Sequence, residues 1–168
     1  MKYILETDRL RLREFNLGDT EFIIKLLNSP GWLQFIGNRN VETVQQAKNY
    51  LENGPMKSYS ENGYGLSLVE KKDEKKAIGM CGIIKRENLD DPDIGFAFLP
   101  DFAGNGFAYE IADATMVYAK DELNISKIAA ITVADNVKSI RLLEKIGLSF
   151  IKIFSFPDSK EELLLYSN

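Results

Sequence analysis

The chain has 168 residues, of which 45% are hydrophobic and 27% charged, so we expect one soluble globular domain spanning residues 1–168. The 25 acidic residues outnumber the 21 basic ones, giving a formal charge of −4, and no block of Lys or Arg predicts a nucleic-acid partner. The chain has no histidine and one cysteine, which excludes Ser-His and Cys-His catalytic pairs, His-ligated or thiolate metal sites and internal disulfides.

The N-terminal segment MKYILETDRLRLREF is too charged, and its apolar part too short, for a secretory signal or a membrane span. No run of about 18 apolar residues occurs elsewhere, so we expect a cytoplasmic protein without membrane contact. Leu10, Leu12 and Phe15 alternate roughly with charged residues, which predicts a half-buried strand. The following DTEFIIKLLNS predicts a helix with the acidic Asp19 as its cap.

The middle of the chain predicts a helix and three strands. The spacing of Val44, Ala47 and Leu51 indicates a helix that Gly54-Pro55 ends. YGLSLVEK and AIGMCGIIKR flank the charged KDEKK and predict an antiparallel hairpin, and DIGFAFL predicts another strand. Cys81, in the second hairpin strand, is interpreted as a buried small residue because no histidine is present to generate a thiolate.

The second half of the chain alternates helices with strands. Phe107, Ile111, Thr115 and Tyr118 recur every three or four residues and predict an amphipathic helix ending near Leu123. KIAAITVA predicts a strand, NVKSIRLLEKIG a helix, and LSFIKIFSF and ELLLYS two closing strands. Two strands joined through a helix pair in parallel, whereas a hairpin is antiparallel. The sequence therefore predicts an α/β (α+β) fold with a mixed sheet and helices on its faces.

Gly104 and Gly106 lie between the end of a strand and the first turn of a helix. At that position several backbone N–H groups lack intrahelical partners and the helix dipole favours an anion, which suits a pyrophosphate. A tight turn would need the same glycines, and the local pattern leaves both interpretations open. Tyr109 replaces the third glycine of a dinucleotide fingerprint and no Gly-Lys-Ser/Thr follows, so neither a Rossmann nor a P-loop nucleotide site is predicted.

Four segments, taken in order, resemble motifs of the GCN5-related N-acetyltransferase (GNAT) superfamily, in the branch similar to ribosomal-protein N-terminal acetyltransferases (RimJ/RimL-like). TDRLRLREF is similar to its first strand, DIGFAFLP to its central strand and NVKSIRLLEKIGLSF to its closing motif. The acetyl-CoA loop of the superfamily falls on six consecutive residues: Ala103, Gly104, Asn105, Gly106, Phe107 and Ala108. Ala103 departs from the family pattern, which removes a side chain but no backbone donor.

The resemblance implies the GNAT fold, a mostly antiparallel central sheet with one parallel, splayed pair and helices on both faces. It implies direct transfer of an acetyl group from acetyl-CoA to a primary amine of a small molecule or a protein N-terminus, with CoA as product and no metal. By the same resemblance, Leu143 occupies the position of the tyrosine that many members use as the acid. A non-catalytic acyl-CoA-binding or regulatory module stays open as an alternative, because Ala103 and Leu143 depart from the family pattern. Whether the protein is a monomer or a homodimer also stays open.

By the same resemblance, Phe98 and Leu99 occupy the stretch that pairs with pantetheine. Asp93 matches a general base, although an acidic residue in the DDPD loop is also a common turn residue. Ser139 matches the proton donor to the thiolate, and an ordinary serine in the first helical turn is the alternative. Asn136 fits both a CoA contact and a helix cap.

The resemblance places the acceptor amine on the side of the early helices and the hairpin. The residues expected to line that side are Trp32, Phe35, Arg39, Tyr59 and Tyr64. Trp32 and Phe35 lie at helical spacing and also fit the core. An aromatic, mildly acidic pocket would suit a cation, and the acceptor stays open among a protein N-terminus, an aminoglycoside, a polyamine and a small amino compound.

Overall fold

The computed structural model describes residues 2–168, which form eight strands and six α-helices. The strands are β1 (Tyr3–Glu6), β2 (Leu10–Arg13), β3 (Leu66–Lys71), β4 (Lys76–Ile84), β5 (Asp93–Phe98), β6 (Ala129–Thr132), β7 (Ser149–Phe154) and β8 (Leu163–Ser167). The helices are α1 (Thr20–Leu27), α2 (Pro30–Phe35), α3 (Val44–Leu51), α4 (Lys57–Asn62), α5 (Phe107–Asp121) and α6 (Val137–Lys145).

All eight strands form one sheet in the order β1-β2-β3-β4-β5-β6-β8-β7. Every neighbouring pair is antiparallel except β5 and β6, which are joined through α5 and pair in parallel. The predicted mixed, mostly antiparallel sheet is therefore confirmed, as are the β3–β4 hairpin and the helices after the glycines and after Asn136. No helix within residues 2–168 is both long and apolar enough to cross a membrane.

Helices cover both faces of the sheet because side chains alternate along each strand. Leu68 of β3 and Met80 of β4 pack in a cluster with side chains of α1, α2 and α3. Val69 and Cys81, the next residue along each strand, belong to the other cluster, which includes side chains of α5 and α6. The sheet thus separates an α1–α3 side from an α5–α6 side.

The N-terminal region differs from the sequence prediction in two respects. A strand that was not predicted, β1, precedes β2 and pairs with it. Asp19 is the N-cap residue of α1, as predicted, but its side chain makes no capping hydrogen bond. Its carboxylate instead accepts hydrogen bonds from the Asn16 N–H at 2.9 Å and from the Arg13 guanidinium at 2.8 and 2.9 Å. Arg13 is only 7% exposed, so this carboxylate serves as the counter-charge of a buried cation.

The prediction that Gly54-Pro55 ends the second predicted helix is wrong. After α3 the chain passes through a π-type turn, Glu52–Met56, and continues into α4. The wider turn accommodates Pro55, which has no N–H to donate to the helical ladder. Gly63, in the left-handed conformation at φ 79°, ends α4 instead.

Candidate active site

Strands β5 and β6 pair at one position and then diverge. Asp93 pairs with Ala129, whose N–H donates to the Pro92 carbonyl at 2.8 Å. Beyond that position β5 pairs only with β4, and β6 only with β8. A cleft of about 450 Å³ opens where the two strands part.

The edge of β5 that faces this cleft has backbone groups without a strand partner. The Leu99 N–H donates to the Ile78 carbonyl at 2.9 Å, on the β4 side. Because backbone groups alternate between the two edges of a strand, those of Phe96 and Phe98 face away from β4. Phe98 and Leu99 were the two residues predicted to pair with pantetheine. Among residues 2–168, the N–H of Phe98 has no partner, whereas that of Leu99 is already bonded to β4.

The predicted glycine loop follows β5 after a short turn. Gly104 and Gly106 both have φ 78°, a left-handed conformation that favours glycine, and Gly106 is the N-cap of α5. Within residues 2–168, the backbone N–H groups of residues 104–109 have no hydrogen-bond partner. Free N–H groups at the start of a 15-residue helix form a site that favours an anion.

Arg9, which the sequence analysis did not select, holds this loop against the turn between β1 and β2. Its Nε lies 2.6 Å from the Glu110 carboxylate and its Nη1 donates to the Asn105 carbonyl at 2.9 Å. Its guanidinium lies 4.4 Å from the centre of the Phe107 ring. Partial burial opposes ionisation of Glu110, but hydrogen bonds from Thr7 and Arg9 outweigh this effect and lower the pKa of Glu110.

The cleft brings together residues that are far apart in the sequence. Six predicted site residues line it: Trp32, Phe35, Arg39, Asp93, Asn136 and Ser139. They come from α2 and the loop that follows it, the start of β5, and the start of α6. Leu143, where many relatives are expected to have tyrosine, lines the same cleft and is 1% exposed.

Asp93 is the first residue of β5, so it is not the turn residue of the alternative interpretation. It is 1% exposed, and its two carboxylate oxygens lie 3.0 and 3.2 Å from Nε of Arg86. Burial raises the pKa of Asp93, and the charge and hydrogen bond of Arg86 only partly oppose the rise. Arg86 was not predicted; its position in the loop before β5 was the only signal in the sequence.

Asn136 and Ser139 face the cleft from the first turn of α6. The Asn136 side-chain oxygen accepts a hydrogen bond from the Ser139 N–H at 3.2 Å and so caps the helix. The Ser139 hydroxyl itself has no hydrogen-bond partner among residues 2–168. It is therefore free to donate to a group in the cleft.

Tyr59 and Tyr64, predicted to line the acceptor side, lie outside the cleft. Both border a separate cavity of about 40 Å³. The Tyr59 hydroxyl donates to the Leu66 carbonyl and accepts from the Phe15 N–H, and burial raises its pKa to about 12. Tyr64 packs against the main hydrophobic cluster. The structure thus gives these tyrosines packing and backbone contacts in place of the predicted position in the cleft.

Cys81 is fully buried, which confirms its interpretation as a small core residue. Its sulfur lies 3.5 Å from the Thr115 hydroxyl oxygen, and that hydroxyl donates to the Ile111 carbonyl. Burial raises the pKa of the thiol to about 12.

Comparisons with known proteins agree with this architecture. The family model for the acetyltransferase (GNAT) domain matches residues 9–149. YoaA, an uncharacterised N-acetyltransferase of Bacillus subtilis (strain 168), is 31% identical over 145 residues, covering 86% of this chain and 81% of YoaA.

Two solved structures share the fold at low sequence identity. An acetyltransferase from Agrobacterium tumefaciens is 22% identical, with a TM-score of 0.83 over 100% of this chain and 94% of that one. RimL, a ribosomal L7/L12 alpha-N-protein acetyltransferase in complex with coenzyme A, is 15% identical, with a TM-score of 0.83 over 99% of this chain and 97% of RimL.

The buried pair of Arg86 and Asp93 predicts a pH-dependent stability defect. In Arg86→Met, burial raises the pKa of Asp93 without opposition. A carboxyl whose pKa is raised by folding contributes stability below its unfolded pKa, and that contribution is lost as the pH rises through the folded value. We expect urea unfolding to show a loss of roughly 1–3 kcal/mol at about pH 7, discounted for the partial exposure of Arg86, and a smaller loss toward about pH 4.

The double variant Arg86→Met/Asp93→Asn is the matched control, because it has no carboxyl to titrate at this position. Its difference from Asp93→Asn, which keeps Arg86 and likewise has no carboxyl at position 93, should be nearly independent of pH over the same range. A constant deficit in the single variant would show that Arg86 contributes through packing alone.

Proposed function

Because this chain belongs to the GNAT acetyltransferase family, we propose that it transfers an acetyl group from acetyl-CoA to a primary amine in the cleft between β5 and β6. Acetyl transfer follows from the family assignment. The use of acetyl-CoA by this chain, the kind of acceptor and the role of each residue are the proposed parts.

One observation carries the proposal: the unpaired edge of β5 leads within a few residues into the glycine loop. An extended pantetheine arm can pair with the free backbone groups of Phe96 and Phe98 as an added strand would. The diphosphate of the same molecule would then meet the free N–H groups between Gly104 and Tyr109. The coenzyme A bound to RimL, which shares the fold, supports a coenzyme of this shape.

The departure of Ala103 from the family pattern does not weaken this site. Its N–H donates to the Pro100 carbonyl, and its backbone is extended, with φ −70° and ψ 149°. The donors offered to the diphosphate come from the following residues and belong to the backbone. A side chain at position 103 is therefore not needed for them.

The reaction forms a C–N bond between the amine and the acetyl carbon and breaks the C–S bond of acetyl-CoA. A neutral amine attacks the thioester carbonyl, and a free backbone N–H on the open edge of β5 is the proposed donor to the oxygen that becomes negative. The nitrogen loses a proton to Asp93, directly or through water. The departing thiolate of CoA takes a proton through the Ser139 hydroxyl, which donates its own proton and receives one from water, and Asp93 returns its proton to solvent.

The environment of each proposed group fits its role. Burial raises the pKa of Asp93 toward neutrality, which makes its carboxylate a better proton acceptor than an exposed aspartate. The Ser139 hydroxyl lines the cleft and is not engaged in capping α6, since Asn136 provides the cap. Leu143 offers no competing acid.

A non-catalytic acyl-CoA-binding module is the second candidate, favoured by Leu143 in place of a tyrosine acid. The two candidates differ in turnover. A catalyst releases CoA thiol and an acetylated amine from a panel of acceptors, whereas the module binds acetyl-CoA and releases neither. Coenzyme binding is therefore measured first and turnover second.

Gly106→Pro should abolish acetyl-CoA binding, measured by calorimetry, because proline removes an N–H donor and cannot adopt φ 78°. Gly63→Pro is a matched control, since Gly63 has φ 79° but lies outside the loop and the cleft. We expect the control to lower the melting temperature and keep the wild-type Kd. Unchanged affinity in folded Gly106→Pro would show that the diphosphate binds elsewhere.

Ser139→Ala should lower kcat by roughly tenfold to a thousandfold and leave the Kd for CoA nearly unchanged, because it removes an interaction of the transition state alone. Ser139→Thr keeps a hydroxyl and should retain much of the activity. Steady-state kinetics and CoA titration check both. Wild-type turnover in Ser139→Ala would mean that water protonates the thiolate.

Asp93→Asn should lower kcat near neutral pH and recover part of it at high pH, where the amine loses its proton without a base. Asp90→Asn is the matched control: Asp90 is an exposed carboxylate of the same loop, outside the cleft. A pH–rate profile from about pH 6 to 10 is the measurement. A defect in Asp93→Asn that persists at every pH, with lower stability, would assign Asp93 a structural role.

A further inference from the structure

One wall of the cleft carries hydrogen-bond donors that have no acceptor among the residues that the structure describes. It is formed by α2 with the loop that follows it, by α3, and by the loop between β4 and β5. Its donor side chains, called the donor wall below, are Trp32, Arg39, Tyr50 and Arg86. Within residues 2–168, the side chains of Arg39 and Tyr50 make no hydrogen bond or ion pair, and Nε1 of Trp32 is buried without a partner.

The ion pair with Asp93 engages only one of the three guanidinium nitrogens of Arg86. Both contacts to Asp93 come from Nε, at 3.0 and 3.2 Å, and its two terminal amino groups have no partner among residues 2–168. A guanidinium has five N–H donors in a planar fork. Arg86 can therefore hold Asp93 with Nε and receive two further acceptor oxygens with its terminal groups.

The acidic groups of the cleft do not balance this wall. Asp93 is already paired with Arg86, and Glu161 is an exposed residue of the loop before β8. Arg39, Tyr50 and Arg86 all line the cleft, and burial raises the pKa of Tyr50, whereas the charges of Arg39 and Arg86 lower it. With its pKa raised overall, the Tyr50 hydroxyl stays protonated and acts as a donor.

We propose that the acetyl acceptor is an α-amino acid or a close analogue, an amine with a carboxylate beside it, and that the donor wall binds this carboxylate. The proposal rests on the acetyl transfer proposed above and names its substrate class. A carboxylate offers about four acceptor positions, which match the unpartnered donors. A polyamine offers no acceptor and would bring further cations beside two guanidinium groups. The mildly acidic, cation-binding pocket expected from the sequence is thus replaced by a site for an anionic group.

The same arrangement assists the reaction. The two guanidinium charges disfavour an ammonium nearby and so lower the pKa of the bound amine. Arg86 contacts both the proposed base and, in this proposal, the acceptor's carboxylate. It would thereby position the amine relative to Asp93.

Trp32 makes the proposal directly measurable, because it is the only tryptophan in the chain and lines the cleft. CoA-loaded protein is titrated with each of the twenty standard amino acids. The fluorescence of Trp32 reports binding, except for tryptophan and tyrosine, which fluoresce themselves and are titrated by calorimetry. The best ligand is then compared with its amide, with the amine that lacks the carboxylate, with spermidine and with a tripeptide that has a free N-terminus. We expect the acid to bind roughly tenfold to a hundredfold more tightly than the decarboxylated amine, as for hydrogen bonds to a charged group.

Two variants test the assigned residues. Arg39→Gln removes one guanidinium, and Arg86→Lys keeps a cation beside Asp93 but loses the fork. Each should reduce the advantage of the acid to a few-fold, chiefly by weakening binding of the acid, and Arg39→Gln should not weaken binding of the decarboxylated amine because it removes a repelling charge. Lys25→Gln, an exposed charge change on α1 outside the cleft, is the matched control and should keep the wild-type preference.

Three outcomes would overturn the proposal: equal binding of acid and decarboxylated amine, tighter binding of spermidine or of a tripeptide with a free N-terminus, or no binding by any amino acid. Because binding is measured with CoA and without turnover, it is independent of catalysis. Selective binding of the acid without acetylation would contradict the transferase function and support the donor wall. Acetylation of amines with no preference for a carboxylate would support the transferase function and contradict the role of the donor wall.

Discussion

The structure depends on one interruption of its sheet, the divergence of β5 from β6 after the pair formed by Asp93 and Ala129. Each of the two strands is secured on its other edge, β5 by six paired positions on β4 and β6 by four on β8. Neither strand therefore needs the other to remain folded. Backbone groups left facing a gap in a sheet require partners from water or a ligand, so the candidate site for an extended ligand is a consequence of strand pairing.

The elements predicted correctly are those that local sequence determines. The hairpin of β3 and β4 follows from two apolar segments around a charged turn, and α5 follows from apolar residues at a spacing of three and four. The errors arise where contacts between residues that are distant in the sequence determine the local structure. The four residues of β1 form a strand because they pair with β2. The Asp19 carboxylate binds the buried guanidinium of Arg13 and therefore makes no capping hydrogen bond to α1. Pro55 stays inside a helical segment because the backbone widens around it.

The residues of the candidate site also divide into those that local motifs predict and those that only tertiary packing brings to the cleft. Asp93, Asn136 and Ser139 were predicted because family motifs fix their positions relative to strands and helices, and the structure brings them to one cleft. Arg86 and Tyr50 were missed, since they belong to no motif and reach the cleft only through the packing of a loop and of α3. The sequence also does not reveal that the Tyr59 hydroxyl is hydrogen-bonded to the backbone of Phe15 and Leu66. These bonds hold the side chain outside the cleft in which it was predicted to lie.

The burial of Cys81 determines how the protein reacts with thiols and disulfides. Its sulfur is fully buried and its pKa is raised to about 12, so almost no reactive thiolate is present at neutral pH. Because it is the only cysteine in the sequence, the folded chain has no accessible thiol with which the coenzyme thiol released in the proposed reaction could form a mixed disulfide. A disulfide reagent added to the native protein would therefore titrate the coenzyme thiol and not the protein, and a slow additional reaction would measure the rate at which the core opens.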